Sequence, residues 1–355
     1  MDSSEKKHFT FDDIPDLTGK VAVVTGGNAG IGYVTCRELA RKNAHVFVLG
    51  RNIEKVQAAV EKIRTETGNQ NVEFLHLDLG SLRSVKKCAE NFLARDLPLH
   101  ILINNAGISA DPFSLTEDGI QEEFGVNHVG HFLFTKLLLP KIKASKPARI
   151  VNVSSRGHRF APEGGIEFEK INDPNAQETM IRYAQSKLAN ILFTYELNKQ
   201  YLEGEQVYAN SLHPGVVDTS MLRNSSVVTE NLRASAISPD DGAITTLYCA
   251  TSPEIEAKNY RGKYFEPFGK EAEPFKYTND DDLAKRLWEF TENLINEKLP
   301  QISNNFSIDL TLKQNVICSS FAKLITNWEL KVSRKWLYCI CIYLDHAMHP
   351  SLRSE

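Results

Sequence analysis

From Lys20 onward, short apolar runs rich in β-branched residues alternate with longer stretches whose apolar positions recur at helical spacing. The short runs predict strands at 21–25, 45–49, 72–76, 101–104, 149–153, 207–212 and 262–265. The longer ones predict helices at 31–42, 52–67, 81–95, 120–143, 182–202 and 239–250. Strands that are apolar throughout and joined through helices belong to a parallel sheet, because each helical crossover returns the chain in the same direction and covers one face. The expected fold is a Rossmann-type, doubly wound α/β domain over residues 17–300, preceded by an N-terminal segment, 1–16.

After Pro300 the alternation stops. Residues 301–355 hold three of the six Cys, two of the three Trp and the apolar cluster from Trp336 to Leu344, which is too short to cross a bilayer. Two readings stay open. Lys331, Arg334 and Lys335 ahead of that cluster suit a tail that touches a membrane surface or a partner; the other reading is an unstructured extension, or a gene-model artefact, beyond a complete domain.

Composition narrows the function classes. Of 355 residues, 42% are hydrophobic, and 41 Lys+Arg stand against 45 Asp+Glu for a net charge of −4. That balance supplies no basic face for nucleic acid. Cys36, Cys88, Cys249, Cys318, Cys339 and Cys341 are too sparse for a disulfide framework, and none forms a C-x-x-C pair. No metal site is therefore expected, and a reducing, cytoplasmic setting is. With no run of 18 apolar residues and a polar, acidic start, neither a transmembrane span nor a secretory leader is expected.

The first predicted strand runs into Thr25-Gly26-Gly27-Asn28-Ala29-Gly30-Ile31-Gly32 and then a helix. Backbone N–H groups and the positive end of a helix dipole at such a turn attract a pyrophosphate. Gly26 would permit the tight turn, Gly30 the approach of the phosphates, and Gly32 close packing of helix on strand, with Asn28 and Ile31 beside them. About twenty residues on, where an acid would bind the ribose 2′-hydroxyl of NAD, the chain has Gly50-Arg51-Asn52. An arginine without a carboxylate suits a 2′-phosphate, so NADP(H) is the expected cofactor, with Arg51 as clamp and Asn52 as helper.

Further along, Ser154-Ser155 follows the strand 149–153, and Tyr183-Ala-Gln-Ser-Lys187 begins a helix. The i,i+4 spacing puts Tyr183 and Lys187 on one face, where a cation would favour the phenolate and lower the tyrosine pKa toward a working range for proton transfer. A control lies in the same helix. Tyr195 and Lys199 repeat the spacing, but about 18 Å along and about 120° around the helix, so both pairs cannot face one reacting centre.

These elements, T-G-x-x-x-G-x-G, Asn104-Asn105-Ala106-Gly107, Ser155, Tyr183-x-x-x-Lys187 and Pro214-Gly215-Val216-Val217-Asp218-Thr219, resemble the short-chain dehydrogenase/reductase family from about Leu17 to Phe268. The resemblance implies a catalytic set of Asn127, Ser155, Tyr183 and Lys187. Tyr183 would be the acid/base, Lys187 would lower its pKa and hold the nicotinamide ribose, Ser155 would bind the substrate oxygen with Ser154 as its alternative, and Asn127 would carry a proton relay. It also assigns cofactor contacts to Asp78, Leu79, Asn105, Ala106, Gly107, Pro214, Gly215, Val216 and Thr219, and dimer contacts to the helices before and after Tyr183.

Ser155 and Tyr183 lie 28 residues apart, and the segment 156–181 should rim a substrate entrance together with 221–238. This length, with Ser186–Phe193 and Asn127-His-Val-Gly-His-Phe, is similar to the retinol-dehydrogenase and WW-domain-oxidoreductase branch, whose substrates are lipophilic alcohols and aldehydes. The expected activity is NADP(H)-dependent alcohol dehydrogenation or carbonyl reduction on a small molecule. The competing expectation is a non-catalytic NADP(H)-binding regulator or scaffold, and a sugar-nucleotide epimerase is disfavoured by the glycine spacing.

Overall fold

The computed structural model of the protein describes residues 8–224, 229–275 and 277–299. The chain divides into two units, 1–299 and 300–355. The second lies outside the described residues, and so do both readings of the 301–355 tail.

One sheet organises the first unit. Strands β1 (Val21–Thr25), β2 (His45–Gly50), β3 (Val72–His76), β4 (Ile101–Asn104), β5 (Ala148–Val153), β6 (Val207–Leu212) and β7 (Tyr264–Glu266) run parallel in the order β3-β2-β1-β4-β5-β6-β7. Every residue of β1, β4, β5 and β6 is buried, as expected of central strands covered on both faces. The strand order reverses between β1 and β4, and in an open α/β sheet such a point leaves a crevice at the carboxyl ends of the strands.

The helices are α1 (Gly30–Arg41), α2 (Ile53–Thr67), α3 (Leu82–Leu93), α4 (Glu122–Phe124), α5 (Gly130–Ala144), α6 (Thr179–Tyr201), α7 (Ser220–Asn224), α8 (Glu230–Ala234), α9 (Pro239–Thr251), α10 (Glu254–Ala257) and α11 (Asp281–Lys298). The continuous helix expected over 120–143 is broken by a π turn, Gly125–Val129. Two close approaches pin that turn. A Cβ on residue 125 would lie 2.6 Å from Thr116 Cγ2, and one on residue 130 would lie 2.6 Å from the Leu79 carbonyl oxygen. Such turns widen a helix by one residue and re-aim what they carry, here Asn127.

Besides the short helices α7, α8 and α10, strand β8 (Lys270–Ala272) and helix α11 are absent from the hydrophobic pattern set out above. Strand β8 adds antiparallel to β7 at the sheet edge; its Lys-Glu-Ala sequence has no apolar alternation, and the reversal depends on Phe268 and Gly269 in left-handed conformation. Helix α11 does carry a signal. Asp280 caps its N-terminus, and Leu283, Ala284, Leu287, Trp288, Thr291 and Ile295 recur on one buried face.

That face lies on the outer side of α5 and α6. Trp288 stacks on Tyr201 and Phe193 and meets Phe132 edge-on, at 5.0, 5.8 and 4.7 Å between centroids. Tyr195 and Lys199 both engage Asp281, at 2.6 and 3.0 Å, which places the second Tyr-x-x-x-Lys pair in this seam. Helix α11 thus covers part of the helices to which family resemblance assigns dimer contacts. No helix among the described residues is long and apolar enough to cross a membrane.

The buried Trp288 should carry much of the hold of α11 on the domain. Trp288→Ala is expected to lower unfolding free energy by about 3–5 kcal/mol in urea titration. A loss below about 1 kcal/mol would mean that α11 is dispensable to the core.

Candidate active site

The carboxyl ends of β1, β4, β5 and β6 open on a cavity of about 600 Å³. At its floor, Gly26 and Gly30 take left-handed φ values of +64° and +52°, and a Cβ on Gly32 would lie 2.2 Å from the Gly26 carbonyl oxygen and 2.6 Å from Asn105 Nδ2. Only glycine fits position 32. The loop is therefore bare backbone at the start of α1, and Gly26, Gly30, Ile31 and Gly32 all line the cavity.

The end of β4 meets this loop through buried polar contacts. Asn105 Nδ2 donates to the Thr25 carbonyl at 2.9 Å, while the Asn105 and Ala106 backbone N–H groups donate to Thr25 Oγ1 at 2.9 and 3.0 Å. Asn104 Nδ2 is spent away from the cavity, on Thr135 of α5 and Asn152 of β5. Asn105, Ala106 and Gly107 line the cavity. A Cβ on Gly107 would lie 3.0 Å from Lys187 Nζ and 3.4 Å from Asn127 Oδ1, so the lysine and the asparagine flank this glycine together.

Asn127 does not itself line the cavity. It is fully buried, with Oδ1 accepting from the Ile108 N–H at 2.8 Å and Nδ2 donating to the Ile108 carbonyl and to Ser186 Oγ, both at 2.9 Å. Ser186 Oγ in turn donates to the Tyr183 carbonyl at 2.7 Å. The Asn127 carbonyl accepts from His131 Nδ1 at 3.0 Å, which leaves His131 Nε2 to accept from Thr25 Oγ1 at 2.8 Å. The π turn, the β1 end and the β4 end are one hydrogen-bonded unit.

Ser154 and Ser155 separate clearly. Ser154 is buried and donates to the Lys187 carbonyl at 2.7 Å, which ties β5 to α6. Ser155 lines the cavity with Tyr183, its Oγ accepts from the Gly157 N–H at 3.0 Å, and a Cβ on Gly157 would lie 3.2 Å from that Oγ and 3.1 Å from Tyr183 Cε1, so hydroxyl and ring are neighbours. Lys187 is buried beside the ring, with Nζ donating to the Val153 carbonyl at 3.2 Å and lying 5.7 Å from the Tyr183 ring centroid. Burial draws this ammonium down to about 8.

Tyr183 departs from the expectation that its pKa would be pulled down. Burial raises the phenol, and the Ser155 hydrogen bond opposes only part of that. The cause is geometric. Lys187 spends a proton on the Val153 carbonyl and lies against the ring, while desolvation acts on both side chains.

Pro214, Gly215, Val216 and Thr219, after β6, close the cavity over the glycine loop, and a Cβ on Gly30 would lie 3.0 Å from Thr219 Cγ2. Five expected cofactor residues lie outside this lining. Asn28 Oδ1 sits 2.8 Å from where a Cβ on Gly50 would be, next to the exposed Arg51. Asn52 caps α2 by accepting from the Lys55 N–H at 2.9 Å. Asp78 Oδ1 accepts from the Gly80 N–H at 2.9 Å, the cap of α3 being Ser81, and Leu79 is buried against Gly130.

The opposite half of the cavity is apolar. Phe160 and Met180 come from the 156–181 insertion, and Met221, Leu222 and Leu232 from the 221–238 stretch. Both segments are the ones whose position in the chain suggested an entrance, whereas no periodicity singles out these five residues. His213, buried at the end of β6, also lines the cavity, and burial lowers its pKa to about 4.

Comparison with known proteins places this arrangement. The family model for short chain dehydrogenase matches residues 20–166. The chain is 42% identical over 302 residues to an uncharacterized oxidoreductase of Schizosaccharomyces pombe, covering 81% of this chain and 88% of that one. It is 39% identical over 296 residues to human retinol dehydrogenase 13, covering 81% and 87%. A Brassica napus chloroplastic short-chain dehydrogenase, TIC 32 A, is 40% identical over 295 residues, covering 80% and 91%. Among solved structures, an uncharacterized protein from Mycobacterium paratuberculosis matches with a TM-score of 0.65 and 33% identity over 81% of this chain and 97% of that one. A short chain dehydrogenase from Shigella flexneri, solved with NADP, matches with a TM-score of 0.57 and 25% identity, covering 71% and 98%. With its glycine loop, its Ser-Tyr-Lys cluster and these relatives, the chain belongs to the short-chain dehydrogenase family, as an oxidoreductase of the retinol-dehydrogenase-like branch.

Proposed function

We propose that this protein is an NADP(H)-dependent alcohol dehydrogenase or carbonyl reductase acting on a lipophilic small molecule. The observation that carries the reading is convergence. The glycine loop, Ser155, the Tyr183–Lys187 pair and the Pro214-Gly215 turn come from four separate stretches of sequence and line one cavity with an apolar half.

The residues present fit a dinucleotide. Gly26, Gly30 and Gly32 offer a cradle that a single Cβ would fill. Arg51 stands exposed at the end of β2 with no carboxylate in Gly50-Arg51-Asn52, which favours a ribose 2′-phosphate, and structural neighbours at 25% and 26% identity were solved with NADP and NADPH. NADP(H) would supply or accept the hydride.

The side chains then divide the remaining work. Ser155 holds the substrate oxygen by a hydrogen bond. Tyr183, protonated at neutral pH like any tyrosine and raised further by desolvation, donates the proton to that oxygen in reduction and accepts it back in oxidation. Lys187 holds positive charge behind the ring, where it stabilises the phenolate left after proton donation. Phe160, Met180 and Met221 offer apolar surface to a lipophilic substrate.

The lead test is an aldehyde and ketone panel read by NADPH consumption. Tyr183→Phe is expected to lower turnover by about 10²–10⁴-fold and leave NADPH binding nearly unchanged. Binding without turnover by the unaltered protein on every carbonyl of the panel would instead favour a regulator or scaffold. For cofactor choice, Arg51→Asp should weaken NADPH by about ten- to hundredfold in fluorescence titration while sparing NADH. An unaltered protein that prefers NADH would contradict the clamp.

The Lys187 titration sets a pH limit. The lysine is charged below its pKa of about 8 and neutral above it. The kcat/KM for NADPH, which reports the free enzyme, should therefore hold to about pH 7 and fall as pH rises through 8. A profile flat to about pH 9.5 would remove Lys187 from the cofactor site.

A further inference from the structure

The buried His158 has no part in the chemistry described so far. It lies in the 3₁₀ turn Arg156–Phe160, fully shielded from solvent. Nδ1 is 2.6 Å from the Ser155 carbonyl oxygen, and Nε2 is 3.1 Å from the backbone nitrogen of Phe275. The second contact decides the first. A backbone N–H can only donate, so Nε2 presents its lone pair, and the ring proton sits on Nδ1, where the Ser155 carbonyl accepts it. Both ring nitrogens of the neutral imidazole are thereby used.

Other bonds tighten the same point. The His158 N–H also donates to the Ser155 carbonyl at 3.1 Å, and the Gly157 N–H donates to Ser155 Oγ at 3.0 Å. Tyr264 meets the imidazole edge-on at 5.4 Å. At the far end, the Phe275 carbonyl accepts from the Thr278 N–H and hydroxyl at 3.1 and 2.7 Å, so the partner is itself held. Residue 157 leaves little slack. A Cβ there would lie 3.2 Å from Ser155 Oγ and 3.1 Å from Tyr183 Cε1, so the turn packs directly against both the hydroxyl and the phenol ring.

We propose that His158 is a positioning residue for the Ser155 hydroxyl, a two-ended tie between the Ser155 carbonyl and the Phe275 amide. The proposal rests on the reading of Ser155 as the group that binds the substrate oxygen. It makes Phe275, which does not line the cavity, a support of the active site.

The test has two arms on the full chain. In ¹⁵N imidazole NMR at neutral pH, with His158 assigned from the signal missing in His158→Gln, the ring should be the neutral Nδ1–H tautomer. An Nε2–H tautomer or an imidazolium would overturn the tie. In kinetics with NADPH and an aldehyde that the unaltered protein reduces, two replacements split the ends. His158→Asn keeps a donor at the Nδ1 place, and His158→Gln keeps an acceptor at the Nε2 place. The Gln variant should lose about tenfold or more in kcat, the Asn variant clearly less, and NADPH binding should hold in both. Equal losses in the two variants would mean packing alone and overturn the proposal. In a Ser155→Ala background, His158→Gln should cost little more, because the group it positions is gone. Additive losses would overturn the tie and leave the role of Ser155 standing. A Ser155→Ala enzyme with full turnover would overturn the reading of Ser155 and the tie with it.

Discussion

The site depends on one close approach. The Gly26 carbonyl oxygen occupies the space where residue 32 would carry a Cβ, with Asn105 Nδ2 beside it. This contact seats the start of α1 directly on the end of β1, and the Asn105 amide, bonded to the Thr25 carbonyl, closes the gap to β4. Because the sheet order reverses there, the same contact defines the floor of the crevice and points the first-turn N–H groups of α1 into it. Any side chain at position 32 would push helix and strand apart and open the floor.

From that floor the buried polar contacts continue without a break. Thr25 Oγ1 links to His131, His131 to the Asn127 carbonyl, the Asn127 amide to Ile108 and Ser186, and Ser186 to the Tyr183 carbonyl. Burial lowers His131 to about 4, so its ring is neutral near neutral pH and can donate at Nδ1 while accepting at Nε2. A network in which each member is satisfied holds one geometry, and here it joins the glycine loop to the helix that bears Tyr183 and Lys187. Desolvation gives those two residues their character. It raises the phenol and lowers the ammonium to about 8, still mostly charged at neutral pH, and it is available because α6 is covered by neighbouring elements along most of its length.

The cover comes from the parts of the chain least regular in pattern. The insertion between Ser155 and Tyr183 forms two 3₁₀ turns and brings Phe160 and Met180 to the cavity, and α11 closes the outer side of α5 and α6 through Trp288. His158, in the first of those turns, joins the two regions by bonding to Phe275. The apolar half of the cavity and the stretch ahead of α11 are in this way attached to the same cavity-lining serine, Ser155.

Local sequence alone determined the parallel sheet, the glycine turn, the Tyr183 and Lys187 pair and the doubly wound architecture, because continuous apolar strands, helical periodicity and i,i+4 spacing are properties of neighbouring residues. The edge strand β8 was not legible, since its pairing rests on two left-handed residues in a turn rather than on apolar alternation. The direction of the Tyr183 shift was not legible either, since spacing specifies which charges are near but not how much water is excluded from them. The roles of Ser154 and Ser155 were equally undecided by adjacency, and the tertiary structure parted them by giving one the Lys187 carbonyl and the other the cavity. It also decided what Asn127, His131 and His158 bond to, because hydrogen-bond partners 19 to 117 residues apart meet only once the sheet has brought their strands together.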